Sequence, residues 1–161
     1  MKVRDLRSER LKRGWGQVAA ARRLGVSQPY LNMLERRKRP LTPDLARKVA
    51  LVYGLSPAKL PVPATFTPAK KVGSQRLVEY FSRLDYPGFA YVRSHVKKKN
   101  PAEVLLTALA QGSLEARVAE ALPWLALHYW DMDVSWLVER AEKIRSPEPL
   151  GIRGQPGTPT L

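Results

Sequence analysis

The amino-acid sequence predicts an all-α protein with two helical parts. Apolar residues recur at helical spacing in both halves of the 161-residue chain, and glycines, prolines and good N-cap residues separate these segments. Residues 61–75 contain three prolines among small and basic residues and show no helical or strand period, which is typical of a semi-extended linker. We therefore expect an N-terminal domain in residues 1–60 and a small C-terminal helical domain in residues 76–145. The prolines and glycines of residues 146–161 predict a disordered tail.

The first domain is predicted to open with two short helices. The first turns Leu6 and Leu11 inward and ends at Gly14. The second begins at Gln17 and ends at Gly25, a residue free to take the positive φ that often terminates a helix. Its buried side is predicted to consist of Val18, Ala20, Ala21 and Leu24.

A third helix follows a tight turn. Ser27 is a good N-cap, and Pro29 lies in the first turn, where its missing N–H leaves no helical hydrogen bond unmade. The side chains predicted to point inward are Tyr30, Leu31 and Leu34. A helix in a DNA major groove meets base edges near its start, and the outer residues there are Gln28, Pro29, Asn32 and Met33. Phosphate-binding charge would come from the next residues, which are Arg36, Arg37, Lys38 and Arg39. Ser27 is predicted to bind phosphate as well.

The helical pattern then continues to residue 60. Thr42 is the N-cap and Pro43 the first residue of a fourth helix, which ends at Gly54. Its apolar stripe consists of Leu45, Val49 and either Val52 or Tyr53. Ser56 and Pro57 begin a short fifth helix.

Residues 1–60 resemble the Xre or lambda-repressor-like helix-turn-helix family, whose pattern is roughly TQxxLAxxLGVSxxxLSxLExGKRxP. The residues in register are Gln17, Ala21, Leu24, Gly25, Val26, Ser27, Leu31, Glu35, Lys38, Arg39 and Pro40. The resemblance implies a five-helix domain that binds double-stranded DNA. It implies that Gln17 anchors a phosphate, that Glu35 pairs internally with Arg10, and that the bases are met by Gln28, Pro29, Asn32 and Met33.

The sequence departs from this family pattern at three positions. Gly16 replaces the usual Ser or Thr cap of the second helix, and Ala20 replaces a packing Leu whose gap Trp15 is available to fill. Arg37 replaces the glycine that commonly turns the chain after the third helix. A left-handed backbone at Arg37 is therefore disfavoured or strained, and the helix is free to run one turn further.

Positive charge is concentrated in the first domain. Residues 1–60 hold 15 basic against 4 acidic residues, whereas residues 76–145 hold 10 against 9. A basic domain beside a nearly neutral one is what polyanion binding by one domain requires, and such binding depends strongly on salt. The alternative is a basic surface that only keeps the protein soluble, which the helix-turn-helix pattern makes the weaker interpretation.

The second half is predicted to be a set of helices. Asn100 caps one of them and Ser113 the next, in which Pro123 forces a bend or a restart because it cannot donate an N–H. Asp133 is predicted to cap the last helix. The less favoured alternative is that Asp131 and Asp133 together bind a hard cation. The apolar positions of that helix are Val134, Leu137, Val138 and Ala141.

Aromatic and apolar residues cluster around one bend of the second half. They are Trp124, Leu125, Leu127, Tyr129, Trp130, Met132 and Trp136. Most are expected to form a core, with the alternative that some form a dimer or partner-binding surface. The runs AEVLLTALAQ and ALPWLALHY resemble C-terminal segments of helix-turn-helix proteins associated with bacterial toxin–antitoxin or phage-defence loci.

Several classes of function are not supported by the sequence. His95 and His128 have neither metal-ligand spacing nor a catalytic partner, and there is no cysteine or glycine-rich phosphate loop, so we expect no enzyme, no cofactor and no metal. Neither a signal peptide nor a membrane-spanning run is present, which favours a cytoplasmic protein of a bacterium or phage. The basic run at residues 97–99 is interpreted as a solvated loop, with a second nucleic-acid contact as the alternative.

These observations predict a sequence-specific DNA-binding transcriptional regulator. We expect a repressor that binds a palindromic operator as a homodimer, because a single helix-turn-helix domain makes few contacts with DNA. The alternative is an antitoxin, which would bind a toxin through its second half and autoregulate its own promoter. Membrane association is not expected.

Overall fold

The structure, a computed structural model, describes residues 4–67 and 71–145. All regular secondary structure in these residues is helical, which confirms the all-α fold class. The α-helices are α1 (Arg4–Lys12), α2 (Gln17–Leu24), α3 (Gln28–Glu35), α4 (Pro43–Val52), α5 (Ser74–Arg83), α6 (Pro101–Leu109), α7 (Ala116–His128) and α8 (Val134–Arg145). Short 3-10 turns lie at Pro57–Lys59 and Pro87–Phe89. The tail predicted for residues 146–161 lies outside the described residues.

Helices α1 to α4 pack around one apolar core. Its buried side chains are Leu6, Ala20, Ala21, Leu24, Leu31, Leu34, Val49 and Tyr53. Trp15 lies half-buried beside this core and packs edge-on against Tyr53, with ring centroids 5.4 Å apart. The small alanines of α2 therefore face a core that is completed by aromatic rings from outside that helix.

The helix ends in this half follow the predicted turn chemistry. Ser27 Oγ accepts a hydrogen bond from Tyr30 N at 3.3 Å, which confirms the N-cap of α3. Thr42 caps α4 in the same way, and Gly25 takes the left-handed conformation with φ of 64°. The predicted fifth helix is a single 3-10 turn at Pro57–Lys59.

Two apolar residues predicted to face inward lie on the surface instead. Leu11 is 55% exposed and Val18 is 64% exposed. Leu11 lies ~140° around the helix axis from the buried Leu6. Val18 shares a face of α2 with Arg22, four residues on, and that face points to solvent.

The third helix ends without the additional turn. Helix α3 stops at Glu35, and Arg37 adopts a left-handed backbone with φ of 59°. Lys38 N donates to Met33 O at 2.8 Å and Arg37 N donates to Leu34 O at 3.1 Å, the pair of bonds that defines a Schellman end. The prediction of a longer helix is therefore wrong. Arg37 occupies a conformation that usually favours glycine.

The second half forms a core of its own. Its buried side chains are Ala58, Leu77, Val78, Phe81, Leu84, Phe89, Ala102, Val104, Leu105, Leu106, Ala108, Val118, Ala121, Leu125, Tyr129, Met132 and Trp136. Asn100 Oδ1 accepts from Ala102 N at 2.9 Å, and Asp133 Oδ1 accepts from Trp136 N at 2.9 Å. Both predicted caps are thereby confirmed.

Helix α7 begins later than predicted, and of the two alternatives predicted at Pro123, a bend or a restart, only the restart is excluded. It begins at Ala116, with Glu115 rather than Ser113 in the N-cap position. It also continues through Pro123 without a restart. Burial of Ala121 and Leu125 on either side of this proline stabilises the helix against the loss of one backbone hydrogen bond.

Helix α8 buries Trp136 and packs Leu137 against the core, whereas the other predicted apolar positions, Val134, Val138 and Ala141, are exposed. Trp136 is buried and donates from Nε1 to Pro63 O at 3.3 Å. Val134 and Val138 are 54% and 50% exposed. The large indole thus determines which face of the helix packs, and a stripe of valines stays on the surface.

Contacts between distant parts of the chain join the two halves. Asn100 Nδ2 donates to Ala58 O at 3.1 Å and to Leu60 O at 2.7 Å, in a buried position. Arg47 Nη1, on α4, donates to Lys98 O at 2.8 Å. The second half is therefore held against the end of the first by hydrogen bonds on two sides.

The segment after residue 60 lies against the second half. Val62 and Phe66 pack on its core, and Ala64 O accepts a hydrogen bond from Arg140 of α8. The boundaries of the two domains and of the linker at residues 61–75 stay a prediction. None of the described helices combines the length and the apolar character that crossing a bilayer needs.

Candidate nucleic-acid interface

The outer face of α3 carries the residues that we predicted to face DNA bases. Pro29 is exposed, and Gln28, Asn32 and Met33 are half-buried. Residues three and four apart share a helix face, so Pro29, Asn32 and Met33 lie side by side on the first turns of α3. The contact of these residues with bases stays a prediction.

A chain of hydrogen bonds orients the side chains at the starts of α2 and α3. Gln28 Nε2 donates to Gln17 Oε1 at 2.6 Å, and Gln17 Nε2 donates to Glu35 Oε2 at 2.9 Å. The predicted phosphate anchor, Gln17, therefore holds a predicted base-facing residue, Gln28. A side chain that is already ordered loses less conformational entropy when it binds.

Glu35 and Arg10 form the buried base of this network, which confirms the pairing implied by the family resemblance. Arg10 Nε lies 2.6 Å from Glu35 Oε1 and Arg10 Nη2 lies 3.0 Å from Oε2, a bidentate arrangement. The two side chains are 7% and 2% exposed. Arg10 also donates to Trp15 O at 2.7 Å, which ties the loop before α2 to the same network.

The charge on Glu35 is stabilised despite its burial. Burial alone raises the pKa of Glu35, but hydrogen bonds from Arg10 and Gln17 and the positive charges of Arg10 and Arg7 lower it further than burial raises it. The pKa of Glu35 therefore lies below its usual range. The carboxylate stays ionised and paired, so it does not present a free negative charge to a phosphate.

A recess of about 310 Å³ opens beside the network, lined by Arg7, Arg10, Gln17, Asn32, Glu35 and Arg36. The side chain of Asn32 makes no hydrogen bond to the described residues, so its amide is available to a base edge, where asparagine pairs well with adenine. Arg7 was missed by the sequence analysis. Its position one turn before Arg10 on α1 was the available signal, since residues three apart share a face.

The predicted phosphate-binding residues after α3 are exposed and unpaired. Arg36, Arg37, Lys38 and Arg39 all lie on the surface, and none forms an ion pair with a carboxylate of the described residues. Ser27 is also exposed, and its oxygen accepts the cap bond, which leaves its O–H free to donate. These groups therefore retain their capacity to bind phosphate.

Basic residues of the second half are arranged differently. Many of them face a nearby carboxylate, in the pairs Arg76–Glu79, Lys98–Asp85, Lys99–Glu103, Arg117–Glu115 and Lys143–Glu139. Surface pairs of this kind neutralise charge locally even though each adds little stability. Ion pairs are therefore frequent in the second half, whereas all four basic residues 36–39 lack a carboxylate partner among the described residues.

The N-terminal part of the chain is similar to a known family. Residues 6–60 match the helix-turn-helix family model. The match confirms the resemblance drawn from the residues between Gln17 and Pro40. No curated protein and no solved structure matches the chain significantly.

The helix-turn-helix domain supports a function of the DNA-binding, transcription-regulating kind. A domain of this type is regulatory rather than catalytic. Among the described residues, no group of three or more histidines and carboxylates is placed to hold a metal ion. The arrangement is suited to bind a polyanion along one surface and to present amide side chains within it.

Proposed function

We propose that the protein is a sequence-specific transcriptional repressor that binds a palindromic operator as a homodimer. The observation that carries the proposal is the surface of α3, where an oriented Gln28 and Asn32 lie next to the cations of residues 36–39. Within the described residues, the Asn32 side chain has no hydrogen-bond partner and these cations have no carboxylate partner. Phosphate contacts position such a helix on the duplex, and amide contacts to base edges select the sequence.

Dimerisation follows from the size of the reading surface. A single helix of eight residues contacts few base pairs, whereas two copies about one DNA turn apart read both halves of a palindrome. The second half offers apolar side chains for pairing, since Val134 and Val138 are exposed on α8. Repression then follows if the operator overlaps the promoter.

Transcription in vitro from the DNA upstream of the chain's own coding sequence tests the sign of regulation. The purified protein is expected to lower transcript yield in a dose-dependent way, and an Arg36→Ala/Lys38→Ala variant is expected to require a higher concentration. An increase in transcript yield would reject repression. An unchanged transcript yield would reject regulation of transcription from this upstream DNA.

A second candidate function is that of an antitoxin, which binds a toxin protein through the second half and autoregulates its promoter. It is favoured by Leu127 and Trp130, which are 78% and 80% exposed near the end of α7. Large exposed apolar side chains in one region mark protein-binding surfaces more often than isolated ones do. Co-expression with the product of the neighbouring gene discriminates: a stable stoichiometric complex that Trp130→Asp disrupts supports the antitoxin, and separate elution of the two proteins rejects it.

A further inference from the structure

A cleft of about 630 Å³ lies where α4 meets the second half of the chain. This junction cleft is lined by side chains that include Leu51, Leu55, Leu60, Arg83, Val92 and Arg93. Its volume lies within the range of small-molecule sites, roughly 300–1,000 Å³, and such sites favour the boundary between structural units.

Part of the lining of the junction cleft is apolar. Leu51, at the end of α4, is 63% exposed although it is a large aliphatic residue. Leu55 and Val92 are half-buried and Leu60 is buried, so the apolar surface continues from Leu51 into the cleft. An apolar occupant would remove this surface from water, which is favourable in proportion to the area covered.

The polar lining of the junction cleft is positively charged. Its titratable lining residues are Arg83, Asp85, Arg93, His95 and Lys98. Lys98 Nζ is paired with Asp85 Oδ2 at 3.1 Å, whereas neither Arg83 nor Arg93 faces a carboxylate in the described part of the chain. The excess charge is therefore carried by two guanidinium groups, which bind oxyanions in a bidentate manner.

The two walls of the cleft are held in place. Arg47 of α4 binds Lys98 O, and Asn100 binds the backbone of Ala58 and Leu60. Ser82 Oγ donates to Val92 O at 2.9 Å, which fixes the loop that carries Arg93. A cleft whose walls are already joined needs little rearrangement to accept a ligand.

We propose that the junction cleft binds a small organic anion with an apolar body, such as an aromatic or medium-chain carboxylate or sulfonate. Arg83 and Arg93 bind the anionic group, and the surface of Leu51, Leu55 and Val92 covers the apolar body. The cleft is lined by α4 of the first half and by residues of the second half, so an occupant contacts both, and the proposal extends to an effector role in DNA binding. That regulatory role rests on the proposed function, whereas the binding site itself does not.

Titration of the full chain with 8-anilinonaphthalene-1-sulfonate tests the site directly. This probe carries a sulfonate on an apolar ring system, and its fluorescence rises when it leaves water. The wild type is expected to bind one equivalent. Arg83→Ala/Arg93→Ala is expected to raise the Kd about tenfold or more, since two charge-assisted hydrogen-bonding groups are lost. Leu51→Asp is expected to weaken binding as well.

Matched variants separate this cleft from other surfaces. Arg117→Ala/Arg145→Ala removes the same charge elsewhere, and Trp130→Asp removes the most exposed aromatic ring; neither is expected to change the Kd. All substituted residues are exposed, so circular dichroism should show a native fold in each variant. Absence of binding, retained binding in both cleft variants, or loss of binding in Trp130→Asp would overturn the site.

The effector role has a separate readout. Addition of the probe to the DNA-bound wild type is expected to change the affinity for DNA, with no change in Arg83→Ala/Arg93→Ala. Probe binding without any change in DNA affinity would overturn the effector role and leave the site standing. Failure of DNA binding in the absence of the probe would count against the proposed function alone.

Discussion

Glu35 is a buried carboxylate beneath a surface that is suited to attract phosphates. Its bidentate pairing with Arg10 neutralises the charge, and its second oxygen accepts from Gln17. An unpaired Glu35 would repel DNA. Because Glu35 is paired with Arg10, it instead orients Gln17 and, through Gln17, Gln28. The network therefore links the stability of the first half to the geometry of its reading surface.

Glu35→Gln is expected to destabilise the first half and to flatten its response to acid. It leaves Arg10 buried without a carboxylate, which costs roughly 3–5 kcal/mol when a buried pair is broken. Because the pKa of Glu35 is lowered in the folded state, its contribution is present above its usual value near 4.5 and is lost as the pH falls below that value. Urea unfolding at pH 7 and at pH 4 measures both effects. A stability gap between wild type and variant that does not narrow at pH 4 would contradict this role.

Gln28→Ala/Asn32→Ala is expected to remove sequence preference while most nonspecific affinity is retained. Each good contact of an amide to a base edge contributes roughly 1–3 kcal/mol of discrimination, whereas the salt-dependent part of binding comes from phosphates. Fluorescence anisotropy with operator and with shuffled DNA measures the two affinities. Gln75→Ala, an exposed glutamine of α5, is the control. An equal fall in both affinities would show that this face of α3 does not contact bases.

Which residues lie on the outer face of α3 could be predicted, because helical periodicity separates inward from outward positions. The pair Arg10–Glu35 was implied by the family resemblance, and the structure confirms it. Periodicity could not reveal the bond from Gln28 to Gln17, which depends on how α2 and α3 cross. The inward placement of Leu11 and Val18 was wrong, because Leu11 lies ~140° around the helix axis from Leu6 and Val18 shares the solvent-facing side of α2 with Arg22.

The end of α3 shows that an element can adopt the family geometry without the family residue. Arg37 takes a left-handed backbone, and hydrogen bonds to Leu34 O and Met33 O close the helix. The positive charge of Arg37 lies within the basic segment after α3. Arg37 thus combines a positive charge suited to phosphate with a strained backbone. The sequence did not decide between a longer helix and a left-handed backbone at this residue.

Arg37→Gly is expected to stabilise the protein and to weaken DNA binding slightly. Relief of the left-handed conformation contributes about 1 kcal/mol, a rise in Tm of roughly 2–4 °C, partly offset by the greater freedom of glycine in the unfolded chain. Arg36→Gly is the matched control, because Arg36 has φ of −85° and needs no glycine. Thermal unfolding should show opposite signs for the two variants. A lower Tm for Arg37→Gly would mean that the left-handed turn carries no strain.

At the level of the whole molecule, the chain combines a strongly basic first half with a nearly neutral second half. This asymmetry could be predicted from composition, and the structure adds that the charges beside α3 have no carboxylate partner among the residues it describes. The hydrogen bonds between the two halves could not be predicted from the sequence. Asn100 and Arg47 reach partners about 40 and 51 residues away, and no local pattern encodes contacts of that separation.

Val138→Asp is expected to prevent dimerisation and to lower operator affinity. The substitution places a charge in the exposed valine stripe of α8, which a self-associating surface would have to desolvate. Leu11→Asp, at a residue of similar exposure on α1, is the control. Light scattering with and without operator DNA measures the mass. A wild type that is monomeric in both conditions would reject the dimer, and a dimeric Val138→Asp would place the interface elsewhere.

The most direct measurement is fluorescence anisotropy of the purified protein against its own upstream DNA and a shuffled control across a series of salt concentrations. We expect both affinities to fall as salt rises, because phosphate contacts release counterions. We also expect a preference for the native sequence that survives physiological salt, since base contacts depend less on ionic strength. Equal affinity for the two DNAs at every salt concentration would contradict sequence-specific recognition.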